Sequence, residues 1–183
     1  KRMLQDPRSK AKFNDFMLHW LEMKTKELPS KNTHKYSNFT PALALYLRRS
    51  LLRGIEIAIW AQNVNWHNFS IMPSIQFNVR VAKYYGLPFP VETNASGFIP
   101  LESKKMGRVG LHTHPYILAS HSYAEESSPI HRGVFVSRKI LGRTLRPPKE
   151  AVSFSNADYD PNWTMRQKVT ALTKPANCMS CHD

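Results

Sequence analysis

The chain holds two cysteines, and both fall in one pentapeptide near its C-terminal end: Cys178-Met179-Ser180-Cys181-His182. This C-x-x-C-H spacing is that of covalent c-type haem attachment. Two thiols on one turn reach the two vinyl groups of a single porphyrin. The imidazole of His182 then falls beneath the iron as an axial ligand. Covalent tethering keeps the haem even where the protein wraps it thinly. Other readings fit less well. A C-x-x-C redox dithiol would follow a strand and open a helix, and no alternation of strand and helix precedes this one. A structural zinc site takes four ligands, so His182 and a distant histidine would have to complete the single cysteine pair.

In bacteria haem c is attached outside the cytoplasm, so the motif predicts a periplasmic or otherwise exported protein. The sequence opens on Lys1 without an apolar leader, as a mature or cut form would. Lys and Arg number 26 against 13 Asp and Glu, a net charge of +13. Such a surface suits an anionic partner: an acidic protein, a membrane surface, a polyanion or nucleic acid. Of these an acidic redox partner protein, or a larger complex in which this chain is one subunit, is the expected one. Nucleic acid is a poor candidate, because it needs a basic groove or a recognition helix and an exported haem protein does not meet it. The apolar run Ala42 to Leu47 stops at Arg48, whereas a bilayer span needs about 20 residues. No transmembrane segment is expected in this chain. With 183 residues, 42% of them hydrophobic, the chain is long enough to bury a real core.

The apolar spacing predicts a mostly α fold with long proline-rich loops. Phe13, Phe16, Met17, Trp20, Leu21 and Met23 recur at helical intervals in a first helix from Asp6 to Glu27. Thr40-Pro41 opens a second helix of about 20 residues. Leu43, Leu47, Leu51, Ile55 and Ile59 form its apolar stripe. Asn63 to Ser70 reads as a turn. Pro73 to Tyr84 reads as a third helix closed by Gly86, and Leu87 to Pro100 as an extended loop. A shorter helix is expected within Arg108 to Ser120, with Pro115 either breaking it or marking its start. Further helices are expected from Ser128 to Leu141 and from Asn162 to Thr173, with a linker from Leu145 to Pro161 between them. Any sheet should be no larger than a hairpin. The implied organisation is a helical domain at 1–100, a smaller helical and loop domain at 101–160, and a haem-attachment segment at 161–183.

Taken in order, several stretches resemble the C-terminal half of the planctomycete-type multidomain cytochrome c proteins. In those proteins two domains of unknown function precede a C-terminal haem motif. Phe77-Asn78-Val79-Arg80-Val81-Ala82-Lys83-Tyr84-Tyr85-Gly86-Leu87-Pro88 is similar to the family's Val-Asn-Glu-x-Leu-Ala-x-His-Tyr-Gly-Ile-Pro stretch. Arg108-Val109-Gly110-Leu111-His112-Thr113-His114, with Ile117-Leu118-Ala119, resembles its Arg-x-Gly-Leu-Leu-Thr-x segment. Ser128-Pro129-Ile130-His131-Arg132-Gly133 matches Thr-Ser-Pro-Val-x-Arg-Gly, and Ile140-Leu141-Gly142 with Pro147-Pro148 matches Leu-Leu-Gly-x-Pro-Pro. Asn177 to His182 stands where the family places its haem signature. The likeness spans roughly residues 13 to 183. It implies an exported haem protein but supplies no activity. The family continues past the motif with an apolar segment containing Asp-Pro-x-Gly-Phe, whereas this sequence reaches only Asp183. The family also usually lacks histidine at the positions of His112 and His114.

His182 leaves the second axial position of the iron to another group. His112, His114 and His121 are the leading distal candidates, with His131, Met106 and Met165 behind them. His112 and His114 are two apart and would diverge by roughly 200° on a helix, so both cannot face one iron there. Arg132 is the first choice to pair with a haem propionate, ahead of Arg108 and Arg143, since guanidinium forks suit carboxylates. Trp20, Trp60, Trp66 and Trp163 are expected in the core or against the haem. The reading that follows is an exported monohaem electron carrier, a module of a larger redox assembly and not itself a catalyst. Two alternatives remain. One is a peroxidase- or oxidase-like haem enzyme with an open distal site. The other is a structural subunit whose partner completes the haem pocket.

Overall fold

In the computed structural model, residues 2–23, 27–60, 66–90, 97–144, 159–175 and 178–179 are described. The linker expected between Leu145 and Pro161 falls largely outside them. The fold is mostly α, with one two-stranded sheet among the described residues, as the sequence leads one to expect. Two compact units divide the chain, Lys1–Ser120 and His121–Asp183.

The first unit is organised around α3 (Pro41–Trp60). Thr40 Oγ1 accepts the Leu43 amide at 3.1 Å, and Pro41 occupies the first helical position, where no amide donor is required. Leu43, Leu47, Leu51 and Ile55 are each at most 4% exposed, worth about 1.5–3 kcal/mol apiece in burial. Before α3 run α1 (Arg2–Gln5) and α2 (Pro7–Trp20), the latter capped by the Asp6 carboxylate. After it come α4 (Trp66–Ile71), β1 (Ser74–Phe77), α5 (Val79–Tyr84), β2 (Ile99–Glu102) and α6 (Pro115–Ser120). β1 and β2 pair antiparallel, Ser74 opposite Glu102 and Phe77 opposite Ile99. α3 packs on β1, α5 and α6, and Ile75, Phe77, Val81, Tyr116 and Ile117 fill the space between them.

Four sequence expectations change. The first helix ends at Trp20 and not at Glu27. Met23 N–H bonds Leu18 O at 2.7 Å and Glu22 N–H bonds His19 O at 3.1 Å, while Glu22 takes φ +57°. This is a Schellman stop without the glycine that usually announces it. The expected turn at Asn63–Ser70 holds the helix α4, on which Trp66 and Phe69 share a face at i, i+3 spacing. The expected helix from Pro73 is a strand first: Ile75, Gln76 and Phe77 are buried in succession, and the helix waits for Asn78, whose Oδ1 accepts the Val81 amide at 3.0 Å. Part of the expected loop ending at Pro100 is strand β2. Proline is admitted there because a two-stranded sheet has only edges.

Pro115 proves to be the start of α6, after a 3₁₀ turn at Leu111–Thr113. That turn is entered through Gly110, at φ +82°. Its amide bonds Ile71 O at 2.8 Å, and a Cβ there would lie 2.7 Å from Ser70 O.

In the second unit, α7 (Pro129–Phe135) is capped by Ser128 and runs into a π-helical turn at Val136–Ile140. α8 (Met165–Leu172) follows. Among the described residues of this unit the buried set mixes Phe135 and Met165 with His121, Ser128 and Lys168.

Candidate functional site

The C-terminal motif is entered from α8. Thr164 and Gln167 form a reciprocal capping box: the Gln167 amide donates to Thr164 Oγ1 at 3.3 Å and the Thr164 amide to Gln167 Oε1 at 2.8 Å. Met165, 7% exposed, and Lys168, 2% exposed, are the buried residues of this helix. Lys168 Nζ lies 3.2 Å from Glu126 Oε1, so an ion pair holds α8 to the 121–128 loop. Glu126 Oε2 is buried without a hydrogen-bond partner.

Beyond α8 the chain turns at Pro175, whose carbonyl accepts the amides of both Cys178 and Met179, at 2.8 and 3.2 Å. A helical turn thus opens at half-buried Cys178. Cys181 and His182 lie outside the described residues.

Arg132 stands in the first turns of α7, half-buried, with Nε donating to Ser128 O at 3.3 Å. Any carboxylate would be met by its Nη groups. Arg143 is exposed. Arg108 serves its own unit: Nη1 donates to Thr113 O at 2.9 Å and the guanidinium lies 6.0 Å from the Tyr85 ring centroid.

The three distal candidates differ sharply. His114 is fully buried. Its Nδ1 accepts the Tyr116 amide at 3.2 Å and its Nε2 lies 3.2 Å from Ser50 Oγ. Ser50 Oγ in turn donates to Gln76 O. This chain of partners assigns the ring proton to Nε2. Burial, with help from the Arg108 charge, pushes the His114 pKa down to about 3. Both nitrogens of His114 are committed, and iron ligation would break this network. His112, in the 3₁₀ turn, is half-buried with Nδ1 lacking a hydrogen-bond partner, and burial lowers its pKa. His121 belongs to the second unit, where its ring packs on Phe135 at 4.4 Å. His131 packs on Tyr123 at 5.0 Å. Met165 is a core residue, and Met106 is half-buried in a 3₁₀ turn.

Of the two places expected for the tryptophans, the core or the haem wall, the core is not theirs. Trp66 is 65% and Trp163 40% exposed, while Trp20 and Trp60 are half-buried. Sequence reading also passed over Ser50 and Lys168. Ser50 had a signal: it is three residues past Leu47 and so lies on the apolar stripe of α3, where a hydroxyl needs a buried partner. Lys168 had none, because its burial depends on Glu126, 42 positions away.

Two protein-family models match the chain. Residues 1–87 match PSD4, a protein of unknown function (DUF1592), and residues 108–183 match PSCyt3, a protein of unknown function (DUF1588). No curated protein and no solved structure matches. The PSCyt3 match takes in α7, α8 and the whole C-x-x-C-H pentapeptide. Two successive stretches of the chain thus match the paired domains of unknown function typical of the cytochrome c proteins it resembles.

Proposed function

We propose that this chain is an exported monohaem c-type cytochrome module that carries electrons within a larger redox assembly. The observation that carries the reading is the Cys178-x-x-Cys181-His182 spacing, which uses both cysteines of the chain. Three features support it. The pentapeptide falls inside the segment matching PSCyt3. A helical turn opens at Cys178. The buried set described for the second unit is as polar as it is apolar, which suits a domain that gains apolar mass from a prosthetic group.

Bound haem supplies one-electron exchange. Cys178 and Cys181 would hold it through thioethers and His182 would ligate the iron. Arg132 would meet a propionate through its Nη groups. Of the distal candidates His112, His114 and His121, His114 is the one whose two ring nitrogens are engaged in the fold. The net charge of +13 suits docking to an acidic redox partner.

The test is expression alongside a haem c maturation system. A reduced pyridine haemochrome spectrum of the c type, and haem that stays with the polypeptide on a denaturing gel, are expected. Colourless protein whose two thiols both react with an alkylating reagent would overturn the reading. Peroxide turnover by haem-loaded protein with five-coordinate iron would replace the carrier with an enzyme.

A further inference from the structure

One face of the first unit is built from rings and cations that the proposed haem function does not use. Arg8, Lys12, Phe16 and Trp20 follow one another along α2 at four-residue spacing, and so form one ridge. The Phe16 and Trp20 rings stack at 6.2 Å with 11° between their planes. Trp20 continues to Trp66 of α4 at 6.2 Å, and Trp66 to Phe69 at 5.2 Å. Phe69 is buried and anchors the ladder in the core, whereas Phe16 is 57% and Trp66 65% exposed. Lys10, also on α2, lies with Nζ 5.3 Å from the Trp60 ring. The only acid within α2 is Asp15, and the capping Asp6 is paired with Arg8 at 2.6 Å.

Exposed aromatic rings are costly unless something covers them, and the cations beside them select a negative cover. We infer that this α2–α4 face docks on an anionic lipid bilayer. A helix that carries Arg8, Lys10 and Lys12 and then Phe13, Phe16 and Trp20 has the composition of an interfacial helix. Tryptophan rings favour the headgroup level, where one edge is apolar and the other wet. No helix among the described residues is long and apolar enough to cross a membrane, so contact through this face would be peripheral. An acidic protein would answer the same charge. The bilayer is favoured because the exposed rings offer breadth and little directional hydrogen bonding.

The test is sedimentation of the full chain with vesicles of phosphatidylglycerol and phosphatidylcholine, against phosphatidylcholine alone. Binding to the anionic vesicles is expected to be about tenfold or more tighter and to be lost near 0.5 M salt, where the Debye length shrinks to about 4 Å. Phe16→Ser and Trp66→Ser should each weaken it several-fold. Both side chains are largely exposed, so circular dichroism should be unchanged. Lys12→Glu leaves every ring in place and should weaken binding more than tenfold through charge alone. Equal binding to both vesicle types, or variants that bind as the parent does, would overturn the inference. So would a protein that ignores vesicles but binds polyglutamate through Phe16 and Trp66, since the face would then belong to an acidic protein. None of these outcomes depends on haem, so the docking surface and the cytochrome reading stand or fall separately.

Discussion

His114 and Ser50 meet between α6 and α3, Nε2 to Oγ at 3.2 Å, and neither side chain reaches solvent. Ser50 passes the contact on to the Gln76 carbonyl of β1. Three elements are thus tied by two polar side chains inside the core. A buried network of this kind fixes one arrangement when fully satisfied and is costly when broken.

The first prediction concerns pH. Burial holds His114 neutral, with its pKa near 3 against an ordinary 6.5. Below pH 6.5 the unfolded chain therefore binds a proton that the folded chain refuses. Stability from this group is intact above pH 6.5 and declines as the pH falls toward 3. Between pH 7 and 4.5 the loss should be about 2–3 kcal/mol. His112, also lowered by burial, adds in the same direction. Urea unfolding at the two pH values measures it, and His114→Gln should remove most of the slope.

Ser50→Ala tests the network itself. It strands the Gln76 carbonyl and the His114 Nε2 proton in the core, at about 1–3 kcal/mol for each unsatisfied group. A loss of about 2–4 kcal/mol in urea unfolding is expected. An effect under about 0.5 kcal/mol would mean that the hydroxyl is not bonded as described.

The Lys168–Glu126 pair offers a comparison of one substitution with two. Lys168→Met alone leaves the Glu126 carboxylate mostly buried with no cation, and should cost about 2–4 kcal/mol. Adding Glu126→Leu should recover most of that loss, because the pair is then replaced by apolar volume. Thermal unfolding of the single and double variants gives the sign. A double variant no better than the single would show that the two side chains do not depend on one another.

Two glycines of positive φ should respond differently to alanine. Gly86 has φ +64° with nothing within 4 Å of a built Cβ, so Gly86→Ala should cost only the left-handed penalty, about 1–2 kcal/mol. Gly110 has φ +82° and a backbone oxygen 2.7 Å from the same atom, so Gly110→Ala should cost more than about 3 kcal/mol or prevent folding. Equal midpoints in denaturant would contradict the close approach to Ser70.

Cys178→Ser under haem-loading conditions should abolish or severely reduce covalent haem and leave at most a single thioether at Cys181. His182→Ala should keep the thioethers and change the visible spectrum. Haem staining on a denaturing gel, read with absorbance, separates the two.

Helix ends show what a sequence can and cannot announce. α5 and α2 end in the same Schellman geometry: Leu87 N–H bonds Ala82 O at 2.9 Å just as Met23 bonds Leu18. Gly86 marks the first stop openly, whereas Glu22 occupies the same left-handed position and carries no mark. The difference lies in burial, because Met23, 2% exposed, is drawn into the core and the chain bends to place it. Strand β1 is a different case. Ser74-Ile75-Gln76-Phe77 alternates polar and apolar residues as a strand does, but the run is only four residues long, and what settles it is pairing with Ile99–Glu102 far along the chain.

The mostly α class, the length and inner face of α3, its cap at Thr40, a helix opening at Ser128-Pro129 and a C-x-x-C-H pentapeptide were legible in the residues alone. These follow from local rules, namely helical periodicity, capping chemistry and the spacing of two thiols. Only the tertiary structure decided that His114 is a core histidine, that Lys168 is buried against Glu126, and that Phe16, Trp20 and Trp66 form one partly exposed ladder. Each of those depends on a partner far along the chain, and the environment of a side chain is set by what packs against it.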